Sequence, residues 1–241
     1  MVGSRNSAAT SQDPRVIVAL DYDNAAAALA FADAVRPTDC RLKVGLELFT
    51  IAGAPLVEKL IERGFDIFLD LKFHDIPNTV AQACRATAQM GVWMMNVHTL
   101  GGLNMMCAAR DAIDSCQHKP IVIGVTILTS HNQEDIQQVG LMGSPAERVS
   151  GLASLAEQAG LDGVVCSPHE AASLKASRVE SFLLVTPGVR PTGSDGGDQR
   201  RVMTPAEAWK QGSDYLVIGR PITRAADPVA VLEEINNSLM G

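Results

Sequence analysis

At 241 residues with 46% hydrophobic content, the chain is long enough to bury one barrel-sized core or two small ones. A formal charge of −7, 4% aromatic residues and no run of Lys or Arg exclude a broad nucleic-acid or anionic-membrane surface, so any basic site must be local. No apolar run is long enough to span a bilayer, and five scattered cysteines (Cys40, Cys84, Cys107, Cys116, Cys166) without a CxxC pair point to reduced thiols in a cytoplasmic protein, not to a disulfide framework or a zinc site.

Residues 1–14, opening "MVGSRNSAATSQD", lack the apolar segment of a signal peptide and read as a disordered tail. From residue 15 onward, short β-branched runs alternate with Ala/Leu-rich stretches of helical period. Strands are expected at "RVIVAL" (15–20), "RLKVG" (41–45), "DIFLDLKF" (66–73), "VWMMNVH" (92–98), "PIVIGVTIL" (120–128), "GVVCS" (163–167), "SFLLVTP" (181–187) and "DYLVIG" (214–219). Helical stretches such as "AAAALAFADAV", "NTVAQACRATAQM", "PAERVSGLASLAEQA" and "PVAVLEEINNSL" separate them. Eight strands at about thirty residues per βα unit predict an α/β fold, a single-domain (β/α)₈ TIM barrel over 15–241. A doubly wound open sheet is the competing fold. It usually carries a Gly-rich first βα turn, whereas the first strand here ends "ALDYDN". The longest irregular connection, "GVRPTGSDGGDQRRVMTP" after strand seven, has the length of a functional loop.

In such barrels chemistry sits at the C-terminal strand ends, with phosphate commonly bound after strands seven and eight. Charges collect at those ends. Asp21 closes strand one, Lys43 lies at the end of strand two, and "DLKFHDIPNTV" brings Asp70, Lys72 and Asp75 to the end of strand three. Strict alternation puts Asp70 and Lys72 on one face. Lys43, Asp70, Lys72 and Asp75 form a neutral alternating set, in which a contact of about 4 Å contributes on the order of 4 kcal/mol at an effective dielectric of about 20, before desolvation. Such a set reads either as salt bridges capping the barrel or as catalytic machinery. Its place opposite an anion site favours catalysis. "TPGVRP" (Arg190), Gln199 in the long loop and "VIGRP" (Gly219, Arg220) supply that site, with ordinary turn chemistry as the alternative. Thr129 in "ILTSH" either contacts a ligand or caps the next turn. The five histidines show no metal-binding spacing and are expected to be structural, and neither Ser130 nor Ser167 has partners for a nucleophilic triad.

Taken in order, "ALDY", "LKVGLELF", "DLKFHDIPNT", "VTILTS", "VTPGVRP", "GDQRR" and "VIGRP" resemble the orotidine 5′-phosphate decarboxylase family over essentially Arg15 to the C-terminus. The resemblance implies a cytoplasmic homodimeric barrel that converts orotidine 5′-monophosphate to UMP and CO₂ in pyrimidine synthesis, without metal or organic cofactor. It implies Lys72 as proton donor, Asp70 beside the scissile carboxylate, and Asp75 contributed by the partner subunit, with Ile76 and Thr79 of the same segment joining the substrate-binding set. Asp21 and Lys43 resemble ribose-hydroxyl binders and Thr129 a pyrimidine contact, while Arg190, Gln199, Gly219 and Arg220 resemble the phosphate and closing-loop contacts. Two rivals are weighed against it. A magnesium-dependent sugar-phosphate decarboxylase or aldolase of the same superfamily would place an acidic residue where this chain has Lys43, and a divalent cation needs carboxylates there. A catalytically silent phosphoribosyl-ligand sensor would have no use for a buried proton donor.

Overall fold

All eight expected runs form strands: β1 (Val16–Ala19), β2 (Arg41–Gly45), β3 (Ile67–Phe73), β4 (Met94–His98), β5 (Ile121–Val125), β6 (Gly163–Val165), β7 (Leu183–Thr186) and β8 (Tyr215–Ile218). The structure, a computed structural model, describes residues 13–191 and 203–240. The strands pair in chain order, each parallel to its neighbour, and β8 returns to β1 through Val16 opposite Leu216, so the sheet closes into a barrel and the open-sheet alternative falls. Strands β5 and β6 stop short of their expected ends. The residues beyond β5, such as Ile127 and Thr129, line the barrel mouth.

Helices α1 (Ala25–Ala34), α2 (Leu46–Glu62), α3 (Pro77–Gln89), α4 (Gly102–Asp114), α5 (Gln133–Gln138), α6 (Pro145–Gln158), α7 (Pro168–Ser177), α8 (Pro205–Lys210), α9 (Arg220–Thr223) and α10 (Pro228–Ser238) fill the connections. Three of them begin on one sequence pattern. Ser144-Pro-Ala-Glu147, Ser167-Pro-His-Glu170 and Thr204-Pro-Ala-Glu207 each form a capping box, the hydroxyl accepting from the backbone at the helix start and the glutamate accepting the cap residue's own N–H. Proline at the first helical position has no N–H to leave unsatisfied. Helix α2 is kinked at Gly53, whose φ of +62° lies in the left-handed region where a side chain is strained.

Two apolar layers hold the barrel. The larger lies between sheet and helices, and a smaller interior cluster joins Ile17, Phe68, Met94, Ile123, Val185 and Val217. At the lower end, the Arg41 guanidinium sits 4.1 Å from the Trp93 ring centre and is paired with Asp66 at 3.1 Å and Asp13 at 2.8 Å. Asp13 and Pro14, read with the tail from sequence, therefore contact the barrel: Pro14 accepts a hydrogen bond from Arg41. All five cysteines are free thiols, with burial pushing Cys40 and Cys84 up to about 12. Among the described residues, no helix is long and apolar enough to cross a membrane.

Candidate active site

The interior cluster ends one layer below the mouth, and charges take over on the same faces of β1, β2 and β3. Register accounts for this: Ala19 lies opposite Lys43, Lys43 opposite Phe68, and Gly45 opposite Asp70. The result is a continuous ion-pair chain. Lys43 Nζ is 3.8 Å from Asp21 and 3.3 Å from Asp70, and Lys72 Nζ donates to Asp70 Oδ1 at 2.7 Å. Asp21 reaches the mouth beside Gly219, where an added Cβ would stand 3.0 Å from the Asp21 carboxylate and 3.4 Å from Ala19. A side chain at Gly219 would have to displace the Asp21 carboxylate by a few tenths of an ångström.

Asp70 is the hinge of the chain. Burial alone would raise its carboxyl, but the Lys43 and Lys72 ammonium groups, with hydrogen bonds from Lys72 and Asn96, outweigh burial and hold it below its ordinary value of 3.8. It is therefore a carboxylate at neutral pH, flanked by a cation on each side. Lys72 itself departs from the regular alternation assumed for β3. Its φ of +52° is left-handed, which costs a residue with a side chain about 1–3 kcal/mol, and the β3–β4 register shifts between Leu69 and Phe73. The bulge aims the ammonium back at Asp70.

These charges face a cavity of about 320 Å³. Its floor is apolar, with Phe68, Val125, Val165 and Val217, and its rim carries Thr129, Ser130, Arg190, Gly219 and Arg220. Four cationic side chains line it (Lys43, Lys72, Arg190, Arg220) against two carboxylates (Asp21, Asp70), a local positive excess in a chain of net charge −7. Arg190 is placed by the two described ends of the long loop, which meet where Val189 bridges Met203 and Arg190 N–H donates to the Met203 carbonyl at 2.9 Å. Gln199 lies outside the described residues. A second cavity of about 130 Å³ touches Lys43, Asp70 and Lys72 from the side of Leu46 and Glu47.

Asp75 does not join the set in which the sequence grouped it. It is exposed, past the end of β3, and its carboxylate accepts the Ile76 N–H at 2.6 Å; Ile76 and Thr79 are exposed beside it. The turn into α3 carries all three outward, away from Lys72 of the same chain. Two residues that the sequence reading did not place in the site belong to its surroundings. Ser130 lines the cavity, and fully buried Asn96 donates to Asp70 Oδ1 at 2.7 Å and accepts the Lys72 N–H at 2.8 Å. A lone amide inside the apolar run "MMNVH" was the available signal, since buried polar groups are there to be bonded. His98 stacks on His74 with ring centres 5.4 Å apart, and burial, then His74, Lys72 and His131, lower it to about 4, so it is neutral at physiological pH.

A closed parallel barrel whose mouth sets a Lys–Asp–Lys chain opposite two arginine-bearing loops defines the class of (β/α)₈ enzymes that work on phosphorylated small molecules. Comparison with known proteins narrows the class. The model of the orotidine 5′-phosphate decarboxylase / HUMPS family matches residues 14–235, and the chain belongs to that family. It is 58% identical over 229 residues to orotidine 5′-phosphate decarboxylase of Vibrio cholerae serotype O1 (strain ATCC 39541), covering 95% of this chain and 99% of the relative. It is 59% identical over 227 residues to the protein of the same name from Hydrogenovibrio crunogenus, covering 94% and 96%. Among solved structures, the crystal structure of orotidine 5′-phosphate decarboxylase from Lactobacillus acidophilus superposes with a TM-score of 0.85 at 40% identity, covering 95% of this chain and 100% of that one.

Proposed function

We infer that this chain is an orotidine 5′-phosphate decarboxylase, converting orotidine 5′-monophosphate to UMP and CO₂ in pyrimidine biosynthesis. The observation that carries the reading is the Lys43–Asp70–Lys72 chain, at 3.3 and 2.7 Å, on the rim of an apolar-floored cavity whose far side holds Arg190 and Arg220. The apolar floor suits a flat pyrimidine ring, and the arginines suit a phosphate. In this arrangement Asp21 and Lys43 take the ribose hydroxyls, Thr129 the ring, and Arg190 and Arg220, with the Gly219 backbone, the phosphate.

The reaction breaks the bond between C6 and the carboxylate carbon. CO₂ leaves, and the electron pair stays on C6, where no neighbouring carbonyl delocalises it. Lys72, a cation fixed beside that point, offsets the developing charge and then transfers a proton from Nζ to C6, leaving a neutral amine that solvent reprotonates. Asp70 keeps both lysines in place and adds a negative charge next to the departing carboxylate. Binding energy from the remote phosphate favours the transition state over the bound substrate.

The active unit is a homodimer in the cytoplasm, with Asp75, Ile76 and Thr79 of the partner subunit completing each site. Supporting this, the whole segment 74–79 is exposed and carries an apolar Ile76, 67% exposed, and the smaller cavity opens the charged chain towards the surface near exposed Leu46. The magnesium-dependent alternative is disfavoured by the donor set. Both oxygens of Asp70 already face ammonium groups, and among the described residues no group of three or more His, Cys, Asp or Glu side chains is arranged to hold a metal ion. The test is the absorbance change of orotidine 5′-monophosphate with purified chain. Turnover that persists in EDTA and vanishes in Lys72→Ala, with UMP still bound, is expected; loss in EDTA restored by Mg²⁺ would favour the alternative.

A further inference from the structure

We propose that Asn96 is a positioning residue for the reaction, its amide standing in for the missing rung of the β3–β4 ladder and so locking Asp70 and Lys72 into a single arrangement. The inference rests on the decarboxylase reading and deepens it.

The ladder shows what is missing. Phe68 pairs with Met94 and Leu69 with Met95, but the next pair is Phe73 with Val97, so four steps along β3 are matched by two along β4. The extra residues form the bulge in which Lys72 takes its φ of +52°. Asn96 is the β4 residue opposite that bulge and is fully buried. Its Oδ1 accepts the Lys72 N–H at 2.8 Å, the bond a backbone carbonyl would make in a regular ladder, and its Nδ2 donates to Asp70 Oδ1 at 2.7 Å. The two partners fix the amide's orientation, because an N–H needs an acceptor and a carboxylate needs a donor. The same Asp70 oxygen receives Lys72 Nζ at 2.7 Å. One side chain therefore sets both the backbone of the proton donor and the carboxylate its ammonium rests on. An acid or an aliphatic side chain of similar size meets only one of these demands or neither.

Asp70 and Lys72 lie on β3, with Lys43 on β2 beyond Asp70, while β5 on the other side reads IVIGV and carries no titratable group. On β4 itself His98, stacked on His74 and lowered to about 4 by burial, then His74, Lys72 and His131, is neutral from pH 5 upward. Asn96→Asp keeps the acceptor for Lys72 N–H but sets a second carboxylate against Asp70, and like charges so close force the pair to share a proton at higher pH than either alone.

The experiment measures kcat and KM from pH 5 to 9 for wild type, Asn96→Ala and Asn96→Asp, with UMP binding and thermal melting as checks on folding. Asn96→Ala is expected to lower kcat by about tenfold or more with KM changed less than about threefold. Asn96→Asp is expected to lose activity relative to wild type progressively as pH rises, a slope that a general loss of stability would not produce. A profile parallel to wild type, or a change confined to KM, overturns the proposal. A variant that does not fold is replaced by wild-type hydrogen exchange. Protection of the Lys72 amide supports the assigned bond, and exchange at the rate of an unstructured amide overturns it. Absence of turnover by wild type would instead overturn the decarboxylase reading itself, so the two failures are distinct.

Discussion

Among the described residues Lys72 is the sole non-glycine with positive φ, and it is also the residue given the proton transfer. Strain of about 1–3 kcal/mol persists only where surroundings over-determine it, and here Asp70 and Asn96 do so. Asp70 has a pH signature of its own. Because its carboxyl is held below 3.8 in the fold, the stabilisation it brings is present above that value and is lost as pH falls through the lower, folded one. Arg220 lines the same cavity and is proposed to hold phosphate. Charge-assisted hydrogen bonds contribute about 1.5–3 kcal/mol, so Arg220→Ala should weaken UMP binding by about ten- to a hundredfold. Titration calorimetry checks this, and unchanged affinity would remove the β8 loop from the phosphate site.

Elements were legible where local chemistry alone sets them. Each β-branched run became a strand because a strand buried on both faces needs little but apolar side chains; the Ser/Thr-Pro-x-Glu pattern that starts three helices was local too, although the sequence reading did not use it. The Ser167 box is the buried one, its hydroxyl bonded to the start of α7 and its N–H bonded to Glu170 at 2.8 Å. Ser167→Ala should therefore cost about 1 kcal/mol and lower Tm by about 2–4 °C, read by thermal melting, with activity retained. The β3 bulge was not legible. "DLKF" reads as regular alternation, and the shift appears only when β4 lies alongside with Asn96 to bridge the gap. Asp75 shows the same limit: it follows Lys72 by only three residues, but the turn into α3 sends it outward. Lys43, Asp70 and Lys72 were readable as a charged set from strand position; the link from Asp21 to Lys43 and the distances were not, and Gln199 lies outside the described residues.

At the scale of the whole molecule, an acidic chain keeps a cationic excess at one mouth, the place where the proposed phosphorylated substrate meets favourable charge, while the net-acidic remainder disfavours it. The mouth of one chain holds Lys72, while Asp75 faces away from it, and the proposed homodimer is what would bring the partner's Asp75 to that mouth. Lys72→Ala and Asp75→Asn proteins, each nearly inactive alone, test that directly when their subunits are exchanged and the mixing is verified by mass. Random exchange gives about half mixed dimers, each with one doubly altered and one intact site. Turnover of orotidine 5′-monophosphate should then recover to about a quarter of the wild-type rate. Complete exchange with no recovery would contradict the account.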